Sequence, residues 1–423
     1  MHNAKALVVV GLQWGDEGKG KIVDYLAKDA DWVIRFNGGN NAGHTVVTGK
    51  KIFKFHHLPS GAVRGKKLLI AQGSVINPKV LLEEIDFLKK EKIPLDLSID
   101  QRVHIVMPYH WLLDGASEEW KGKQATGSLK LGIGYCYEDK NNRLGIRFED
   151  LINGKILAEK VRAVFPFKKA IIEKVFGQKM ELTAKKIIDE YTVYGLKLKK
   201  YTQDVAAAVW HGWGKKKILF ETAHGTFLDV AFGTYPYTVA PYSTAGALYS
   251  GVGIGPADIE VIGVVKAYTT RVGNGPFPTE QKNRTGAKLQ KQGQEVGTTS
   301  GRKRRCGFLD LTMLRCALKL NSVNYLALTK LDVLSGFKIL KIADHYLYQG
   351  KKVKYFPAGM NNLNKMKPVY RIFKGWPENI SQAKNKRDLP ENCRIYLDYI
   401  SRELDIPIKL ISVSQDRENV IKI

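Results

Sequence analysis

A glycine-rich loop near the start of the sequence limits most strongly what this chain can fold into. Residues 6–10 are apolar and mostly β-branched, residues 11–21 read GLQWGDEGKGK, and a helical stretch follows at residues 22–27. Glycines allow backbone N–H groups to approach an anion, the start of a helix is electropositive, and lysines neutralise negative charge. The order strand, glycine loop, helix therefore predicts a phosphate-binding loop, although its spacing differs from the common G-x-x-x-x-G-K-[ST] pattern.

Asp16 is the unexpected member of this loop, because a carboxylate should repel a bound phosphate. An aspartate in a glycine-rich turn can simply cap the turn by hydrogen bonding to the backbone. The alternative is chemical, since a carboxylate beside a phosphate can hold a metal ion or act as a general base. We favour the second interpretation, so the loop is predicted to take part in chemistry as well as in binding.

Alternation of apolar runs with helical segments predicts the fold class. The chain has 423 residues, 44% of them hydrophobic, which is enough for a large core. No linker, repeat or low-complexity tract divides it, so residues 1–423 are predicted to form a single domain. Helical stretches such as residues 79–90 separate the apolar runs, which indicates an α/β fold with a mostly parallel central sheet flanked by helices. The predicted strands are residues 6–10, 33–36, 68–71, 103–107, 218–220, 259–265 and 325–328.

Charge and cysteine content narrow the class of function. Lys and Arg number 67 against 41 Asp and Glu, and the resulting net charge of +26 attracts polyanions. The cations are spread along the chain without a module of aromatic and basic residues, so we expect no nucleic-acid partner. The four cysteines form no C-x-x-C pair, which predicts neither a zinc site nor a disulfide framework. No apolar run reaches membrane-spanning length and no signal peptide is recognisable, so we expect no membrane partner and a cytoplasmic location.

Long motifs recur through most of the chain. They read GLQWGDEGKGK at 11–21, RFNGGNNAGHT at 35–45, VVKAYTTRVGNGPFPTE at 264–280, GTTSGRKRRCG at 297–307 and LTKLDVL at 328–334. In this order they resemble the adenylosuccinate synthetase family. The resemblance implies a P-loop NTPase-like adenylosuccinate synthetase fold and a GTP-dependent ligase. Such an enzyme joins L-aspartate to C6 of a purine nucleotide, IMP by default, through a 6-phosphoryl intermediate, and yields adenylosuccinate, GDP and phosphate.

The resemblance assigns the chemistry to a few residues of this chain. Asp16 is expected to remove the N1 proton of the purine and to hold Mg²⁺ together with the carbonyl of Gly43. Deprotonation moves negative charge to O6, which can then attack the γ-phosphorus of GTP. His44 is expected to act as acid and electrophile at the transferring phosphoryl group, and Lys19 to stabilise its charge.

Lys330 and Asp332, which follow the predicted strand at 325–328, are expected to select the base of the phosphoryl donor. A carboxylate there accepts hydrogen bonds from guanine N1–H and N2–H₂, and adenine lacks this pair of donors. The pattern thus favours GTP over ATP. By the same resemblance, the other residues expected to bind GTP are Gly15, Glu17, Gly18, Gly20, Lys21, Ser412 and Ser414.

The run of cations at residues 302–305 can be a solvated basic loop, because most such runs lie on the surface in water. Flanked by Thr, Ser and Gly, it also suits a clamp in which arginines hold the two carboxylates of aspartate. The resemblance further places Arg143 across the two-fold interface of an obligate homodimer, near the neighbour's nucleotide. The expected aspartate-binding residues are Thr298, Thr299, Ser300, Arg302 and Arg304, and the expected acceptor-binding residues are Asn41, Thr126, Arg143, His224, Val239 and Arg302.

Departures from the family pattern fall mainly on the acceptor side. Val239 stands where a threonine would contact the 5′-phosphate, and His224 replaces a glutamine near the base. One alternative is therefore a paralogue that uses another purine nucleotide, such as dIMP, GMP or dGMP. A second alternative is a non-catalytic GTP-binding protein, but the presence of both Asp16 and His44 argues against it.

Overall fold

The computed structural model of the chain describes residues 6–297 and 301–423, and a ten-stranded sheet forms its centre. In chain order, the strands of all its sheets are β1 (Ala6–Gly11), β2 (Trp32–Arg35), β3 (His44–Thr48), β4 (Lys51–Phe55), β5 (Lys67–Ile70), β6 (Val75–Ile76), β7 (Asp96–Asp100), β8 (His104–Ile105), β9 (Thr202–Gln203), β10 (Ile218–Glu221), β11 (Glu260–Lys266), β12 (Thr269–Arg271), β13 (Arg305–Gly307), β14 (Leu309–Asp310), β15 (Tyr325–Thr329), β16 (Ile339–Tyr348), β17 (Lys351–Val353), β18 (Lys367–Lys374), β19 (Ile408–Ser412) and β20 (Val420–Lys422).

The first strand occupies the middle of the main sheet. Its order is β20-β19-β15-β11-β1-β10-β2-β5-β7-β9, and every neighbouring pair is parallel except β19 with β20. Parallel strands all end at the same edge of a sheet, so the loops that follow β1, β2, β10, β15 and β19 meet there. Open α/β sheets bind their ligands in the crevice at this edge.

Helices cover both faces of the main sheet. Side chains of a strand alternate between its faces, and in β1 Val8 and Val10 join one buried cluster while Val9 joins the opposite one. None of the helices in the described part of the chain is long and apolar enough to cross a membrane. The helices are α1 (Lys19–Ala27), α2 (Pro78–Lys90), α3 (Pro108–Lys121), α4 (Ile133–Asn142), α5 (Phe148–Leu151), α6 (Gly154–Ala170), α7 (Ala184–Leu198), α8 (Val205–Gly212), α9 (Ala247–Val252), α10 (Arg284–Gln292), α11 (Leu311–Asn321), α12 (Met360–Leu363) and α13 (Glu391–Leu404).

Most of the predicted strands lie in the main sheet, which confirms the α/β class. The run at 103–107 is the exception, because only His104–Ile105 forms a strand and it pairs with Val75–Ile76 outside the main sheet. An apolar run signals burial, and burial does not require pairing in the central sheet. Strands β14, β16, β17 and β18 form a separate smaller sheet, which the sequence pattern did not predict.

Candidate active site

Left-handed backbone shapes the predicted phosphate loop between β1 and α1. Gly15, Asp16 and Gly18 have φ values of 80°, 58° and 85°. Glycine adopts this region freely, and aspartate tolerates it better than most residues. The loop can therefore turn sharply three times and still present a carboxylate at its middle position.

Glu17 is predicted to bind GTP, and its carboxylate holds the loop together. The backbone N–H groups of Gln13 and Gly15 donate to Oε1 at 3.0 Å and 2.9 Å, and Lys19 Nζ lies 2.7 Å from Oε2. The carboxylate fits because Gly11 has no side chain, since a Cβ there would lie 2.4 Å from Oε2. Glu17 is fully buried, so it fixes the Lys19 ammonium at the start of α1.

The loops at the carboxyl edge surround a cavity of about 1080 Å³. Asp16, Lys19, Gly43 and His44 all line it, so the structure brings together the residues predicted for catalysis and metal binding. The other predicted residues in the lining are Gly15, Glu17, Gly18, Gly20, Lys21, Asn41, Thr126, His224, Val239, Arg302, Arg304, Lys330, Ser412 and Ser414.

A buried carboxylate holds His44 in place. Glu221, the last residue of β10, contacts His44 Nδ1, and it accepts hydrogen bonds from the hydroxyl (2.7 Å) and the backbone N–H (2.8 Å) of Ser60. Burial lowers the pKa of His44, and the Glu221 charge opposes that shift. Burial also opposes ionisation of Glu221, but His44 and Ser60 outweigh it and hold the pKa of this carboxylate below its usual value. Nδ1 is thus occupied by Glu221, which leaves Nε2 as the ring nitrogen available to a substrate.

Asp16 is linked to the predicted aspartate clamp. Arg304 donates from Nε to Asp16 Oδ2 at 2.7 Å and from Nη1 to Glu295 Oε2 at 2.7 Å. Glu295 is fully buried and also lies 2.9 Å from Lys266 Nζ. Burial opposes the charge of Glu295, but Lys266, Lys330 and Arg304 together lower its pKa to about 2. This permanent anion anchors Arg304 beside the predicted phosphate loop.

Lys21 is also predicted to bind GTP, and it ties α1 to the segment after β19. Its Nζ donates to Ser412 Oγ at 2.8 Å and to the carbonyl oxygens of Ser414 and Asn419, both at 2.9 Å. Burial lowers the pKa of Lys21 to about 8, against the opposing charges of nearby carboxylates. The ammonium therefore positions the backbone of 412–419 rather than pointing freely into the cavity.

Asp332 is not among the residues that line the cavity, although Lys330, two positions before it, is. Its Oδ1 atom is buried and has no hydrogen-bond partner among residues 6–297 and 301–423. Burial raises the pKa of Asp332, and the charges of Lys330 and Lys21 oppose this shift. Lys330 donates from Nζ to the Gly293 carbonyl at 2.6 Å. A buried acceptor without a partner is costly, so this oxygen is suited to a donor supplied by a ligand.

Two predicted acceptor residues also have buried polar atoms without partners in the described part of the chain, namely Asn41 Oδ1 and His224 Nε2. Burial, together with the charges of Arg35 and Lys19, holds the pKa of His224 well below its usual value, so this ring is neutral. Val239 has no side-chain donor, and its backbone N–H already donates to the Leu228 carbonyl at 2.8 Å. Position 239 therefore offers apolar contact rather than a hydrogen bond to an acceptor phosphate.

Thr126 lies in a loop held by helix α3. Its hydroxyl and its backbone N–H both donate to Glu118 Oε1, at 2.8 Å and 3.3 Å. Arg302 donates from Nη2 to the Gly127 carbonyl at 2.8 Å, so the predicted acceptor and aspartate residues meet at this loop.

A few predicted residues lie elsewhere. Arg143 is exposed at the end of α4 and does not line the cavity. Thr298, Thr299 and Ser300 lie outside the described residues.

Sequence reasoning missed three buried carboxylates that organise the site, Glu118, Glu221 and Glu295. Glu221 was within reach of such reasoning, because it directly follows the strand predicted at residues 218–220 of a mostly parallel sheet. A carboxylate there points toward the ligand edge.

The comparisons with known proteins identify the family. The family model described as adenylosuccinate synthetase matches residues 8–421. The adenylosuccinate synthetases of Acetivibrio thermocellus and Carboxydothermus hydrogenoformans are 46% and 47% identical to this chain, and each match covers 98% of both sequences. The chain belongs to the adenylosuccinate synthetase family. It is therefore a GTP-dependent ligase that joins aspartate to IMP, and the alternative predictions are not favoured.

Solved structures agree with this assignment. The structure of fully ligated adenylosuccinate synthetase from Plasmodium falciparum is 35% identical to this chain, with a TM-score of 0.93 over 99% of this chain and 100% of the other. The succinoaminodeoxyadenylate synthetase of cyanophage S-2L, bound to dGMP and dATP, is 18% identical with a TM-score of 0.61 over 98% and 94%. At that identity the likeness shows a common fold and nothing further.

Proposed function

We propose that this chain makes adenylosuccinate from IMP, L-aspartate and GTP in two steps within the cavity at the carboxyl edge. In the first step, Asp16 removes the N1 proton of IMP, and O6 attacks the γ-phosphorus of GTP with GDP leaving. In the second, the amine of aspartate attacks C6, the O6–phosphate group leaves as inorganic phosphate, and the amine loses its proton. The observation that carries the proposal is that Asp16, Lys19 and His44 line one cavity.

His44 is proposed to act as acid and electrophile, donating from Nε2 to an oxygen of the transferring phosphoryl group. The Glu221 carboxylate beside Nδ1 stabilises the imidazolium that this role requires. Lys19 is proposed to stabilise charge on the phosphoryl group, and its ion pair with Glu17 holds the ammonium in position at 2.7 Å.

Mg²⁺ is the proposed metal ion, and the residues present fit it. Mg²⁺ prefers oxygen ligands and usually takes one or two carboxylates together with substrate phosphates. No group of three or more His, Cys, Asp or Glu side chains in the described ranges forms a protein-only metal cage. Asp16 and Gly43 both line the cavity, and the carboxylate of the first and the carbonyl of the second would hold the ion. When bound, it offsets charge between the carboxylate and the phosphate oxygens.

Guanine is proposed to bind beside Asp332 and Lys330, with residues 412–416 on its other side. The buried Asp332 Oδ1 without a partner supports this, because guanine N1–H or N2–H₂ would supply the missing donor. Arg302 and Arg304 are proposed to bind the aspartate carboxylates. Arg304 now engages Asp16, so we expect it to exchange that contact for the substrate.

Arg143 is proposed to act on the nucleotide of a second subunit. It is exposed and lies outside the cavity of its own chain, which is what a residue contributed across a two-fold interface requires. We further propose that residues 1–423 form a single domain and that the enzyme works in the cytoplasm.

A steady-state phosphate-release assay with product analysis tests the proposed function. Phosphate and adenylosuccinate should form in equal amounts, and only when GTP, aspartate and IMP are all present. Release of phosphate from GTP alone, without nucleotide product, would mean that the chain is not this ligase. ATP in place of GTP should support little turnover.

A further inference from the structure

Helix α3 presents two carboxylates, Asp114 and Glu118, to the loop that follows it. Positions four residues apart lie on the same face of a helix, so both side chains reach the same stretch of chain. Asp114 Oδ2 accepts hydrogen bonds from the Ser128 hydroxyl and the Gly132 backbone N–H, both at 2.9 Å. Both carboxylates are buried, at 9% and 8% exposure. Two carboxylates of the helix therefore face the loop that follows α3.

Glu118 makes the larger set of contacts. Its Oε1 accepts from the hydroxyl and the N–H of Thr126, and its Oε2 accepts from the N–H groups of Gly127 and Ser128 at 2.9 Å and 3.1 Å. Lys121 Nζ lies 3.2 Å from Oε1. Burial opposes the charge of Glu118, but these hydrogen bonds outweigh it and lower its pKa to about 2. The carboxylate is thus ionised throughout the physiological range.

Three consecutive backbone N–H groups that point at one anion form a nest, the arrangement by which loops bind anions. Gly127 makes the nest possible, because its φ of 83° is left-handed and turns its N–H toward the same point as its neighbours. Here the anion belongs to the chain itself. The loop is therefore folded around Glu118.

The opposite side of the same loop touches the predicted aspartate clamp. Arg302 Nη2 donates to the Gly127 carbonyl at 2.8 Å, and Asn274 Nδ2 donates to the Ala125 carbonyl at 3.3 Å. A single peptide segment thus donates to Glu118 and accepts from Arg302. In contrast, the residues predicted to bind guanine follow β15 or lie at the end of β19 and just after it.

We propose that Glu118 is a positioning residue that sets the acceptor side and the aspartate side of the cavity together. It holds residues 126–128 in the conformation in which Thr126 lines the cavity and the Gly127 carbonyl accepts from Arg302. The proposal rests on the proposed function, which assigns Arg302 to aspartate, and on the expectation from the sequence that Thr126 binds the acceptor. It predicts that loss of Glu118 weakens use of IMP and aspartate and spares GTP.

The test is the variant Glu118→Gln, compared with Glu119→Gln. Glutamine has the size of glutamate but only one acceptor oxygen, so its amide N–H₂ must face either the Thr126 donors or the Gly127 and Ser128 donors. Glu119 is the neighbouring residue with 62% side-chain exposure, and it contacts Lys130 at 3.1 Å and Gln178 at 2.9 Å outside the nest. Its variant controls for loss of one negative charge on α3.

Initial rates with each substrate varied in turn give the result. For Glu118→Gln we expect KM for IMP and KM for aspartate to rise by roughly tenfold, which corresponds to about 1.4 kcal/mol, with KM for GTP within about twofold of the parent. Glu119→Gln should match the parent in all three constants. Unchanged KM values for IMP and aspartate, or an equal rise in KM for GTP, would overturn the proposal.

Two further measurements keep the result interpretable. If thermal unfolding shows that Glu118→Gln does not fold, the same KM values are measured for Asp114→Asn instead. Asp114→Asn weakens the hydrogen bonds that hold Ser128 and Gly132, and it should raise KM for IMP and KM for aspartate by a smaller factor. Unchanged KM values in this variant would count against the proposal. Turnover of the parent enzyme with all three substrates is measured in the same assay. Absence of turnover in the parent enzyme would contradict the proposed function, whatever the result for the Glu118 variant.

Discussion

The substitution Glu221→Gln tests whether a buried carboxylate controls the proton on His44. Glu221 is fully buried, and it contacts His44 Nδ1 and two donors of Ser60. Glutamine keeps the shape but has a single acceptor oxygen and no charge. If that oxygen stays with His44 and the Ser60 hydroxyl, the new amide N–H₂ faces the Ser60 backbone N–H. The variant thus removes the anion that stabilises the imidazolium and leaves one buried donor without a partner.

The expected size of the effect follows from these contacts. A hydrogen bond to a charged group contributes about 1.5–3 kcal/mol, which corresponds to a factor of roughly 10 to 150. A positioned general acid contributes ~10²–10⁴ in rate. Glu221→Gln removes the carboxylate beside His44 but keeps the imidazole ring, so it should cost less than removal of His44 itself. We therefore expect kcat to fall by roughly 10- to 150-fold, with a smaller change in KM for GTP.

The pH profile gives an independent readout. The Glu221 charge raises the pKa of His44 against the effect of burial, so its removal lets that pKa fall further. The proposed acid is the protonated ring, and activity is lost as pH rises through its pKa. The falling limb of kcat against pH should therefore move to lower pH in Glu221→Gln. Ser60→Ala is the matched control, because it removes one hydrogen bond and keeps the charge. It should cost about 1.5 kcal/mol, roughly tenfold, because the ion pair between Glu221 and His44 remains, and the falling limb of the pH profile should stay nearly unmoved.

The assay is steady-state phosphate release over a range of pH with saturating substrates. A Glu221→Gln enzyme that keeps more than half of the parent kcat and shows an unmoved limb would refute this account of His44. An equal loss in Ser60→Ala would show that the hydrogen-bond network matters and the charge does not.

Three further predictions concern the other parts of the site. Asp16→Asn should lower kcat by at least ~10² and weaken GTP much less, and a variant with more than a tenth of the parent rate would exclude a general base at this position. Asp332→Asn should lower kcat/KM for GTP and raise it for xanthosine triphosphate, measured against the exposed control Asp258→Asn, and an unchanged preference would remove Asp332 from guanine recognition. Mixing inactive Asp16→Asn and Arg143→Leu enzymes should restore activity, because each mixed dimer holds one intact site, whereas no recovery would contradict a shared site.

Local patterns were sufficient to predict the fold class and the loops at the ligand edge. The central strands of a parallel sheet are buried on both faces, so β1 and β15 read as plain apolar runs. Strand β7 was not predicted, because its sequence DLSID carries an aspartate at each end. The antiparallel sheet of β16 and β18 was missed for a related reason, since its exposed positions mix cations with apolar residues.

The residues of the predicted phosphate loop stand out in the sequence, because glycine spacing and lysines are local signals. The partners that hold these residues in place could not, because they come from distant parts of the chain. Glu221 meets Ser60 across 161 positions, and Arg304 meets Asp16 across 288. No spacing rule in one sequence links such positions. Glu118 lies close to Thr126 in sequence, yet its role depends on the left-handed turn at Gly127, which the sequence does not reveal.

The central claim is that O6 of IMP is phosphorylated before aspartate displaces it. Its most direct test uses IMP labelled with ¹⁸O at O6, with GTP, aspartate and the parent enzyme, followed by mass spectrometry of the inorganic phosphate. If O6 attacks the γ-phosphorus, the bond that later breaks is the one between C6 and O6, and each phosphate released with adenylosuccinate carries the label. Unlabelled phosphate, with the ¹⁸O lost to water, would contradict the account.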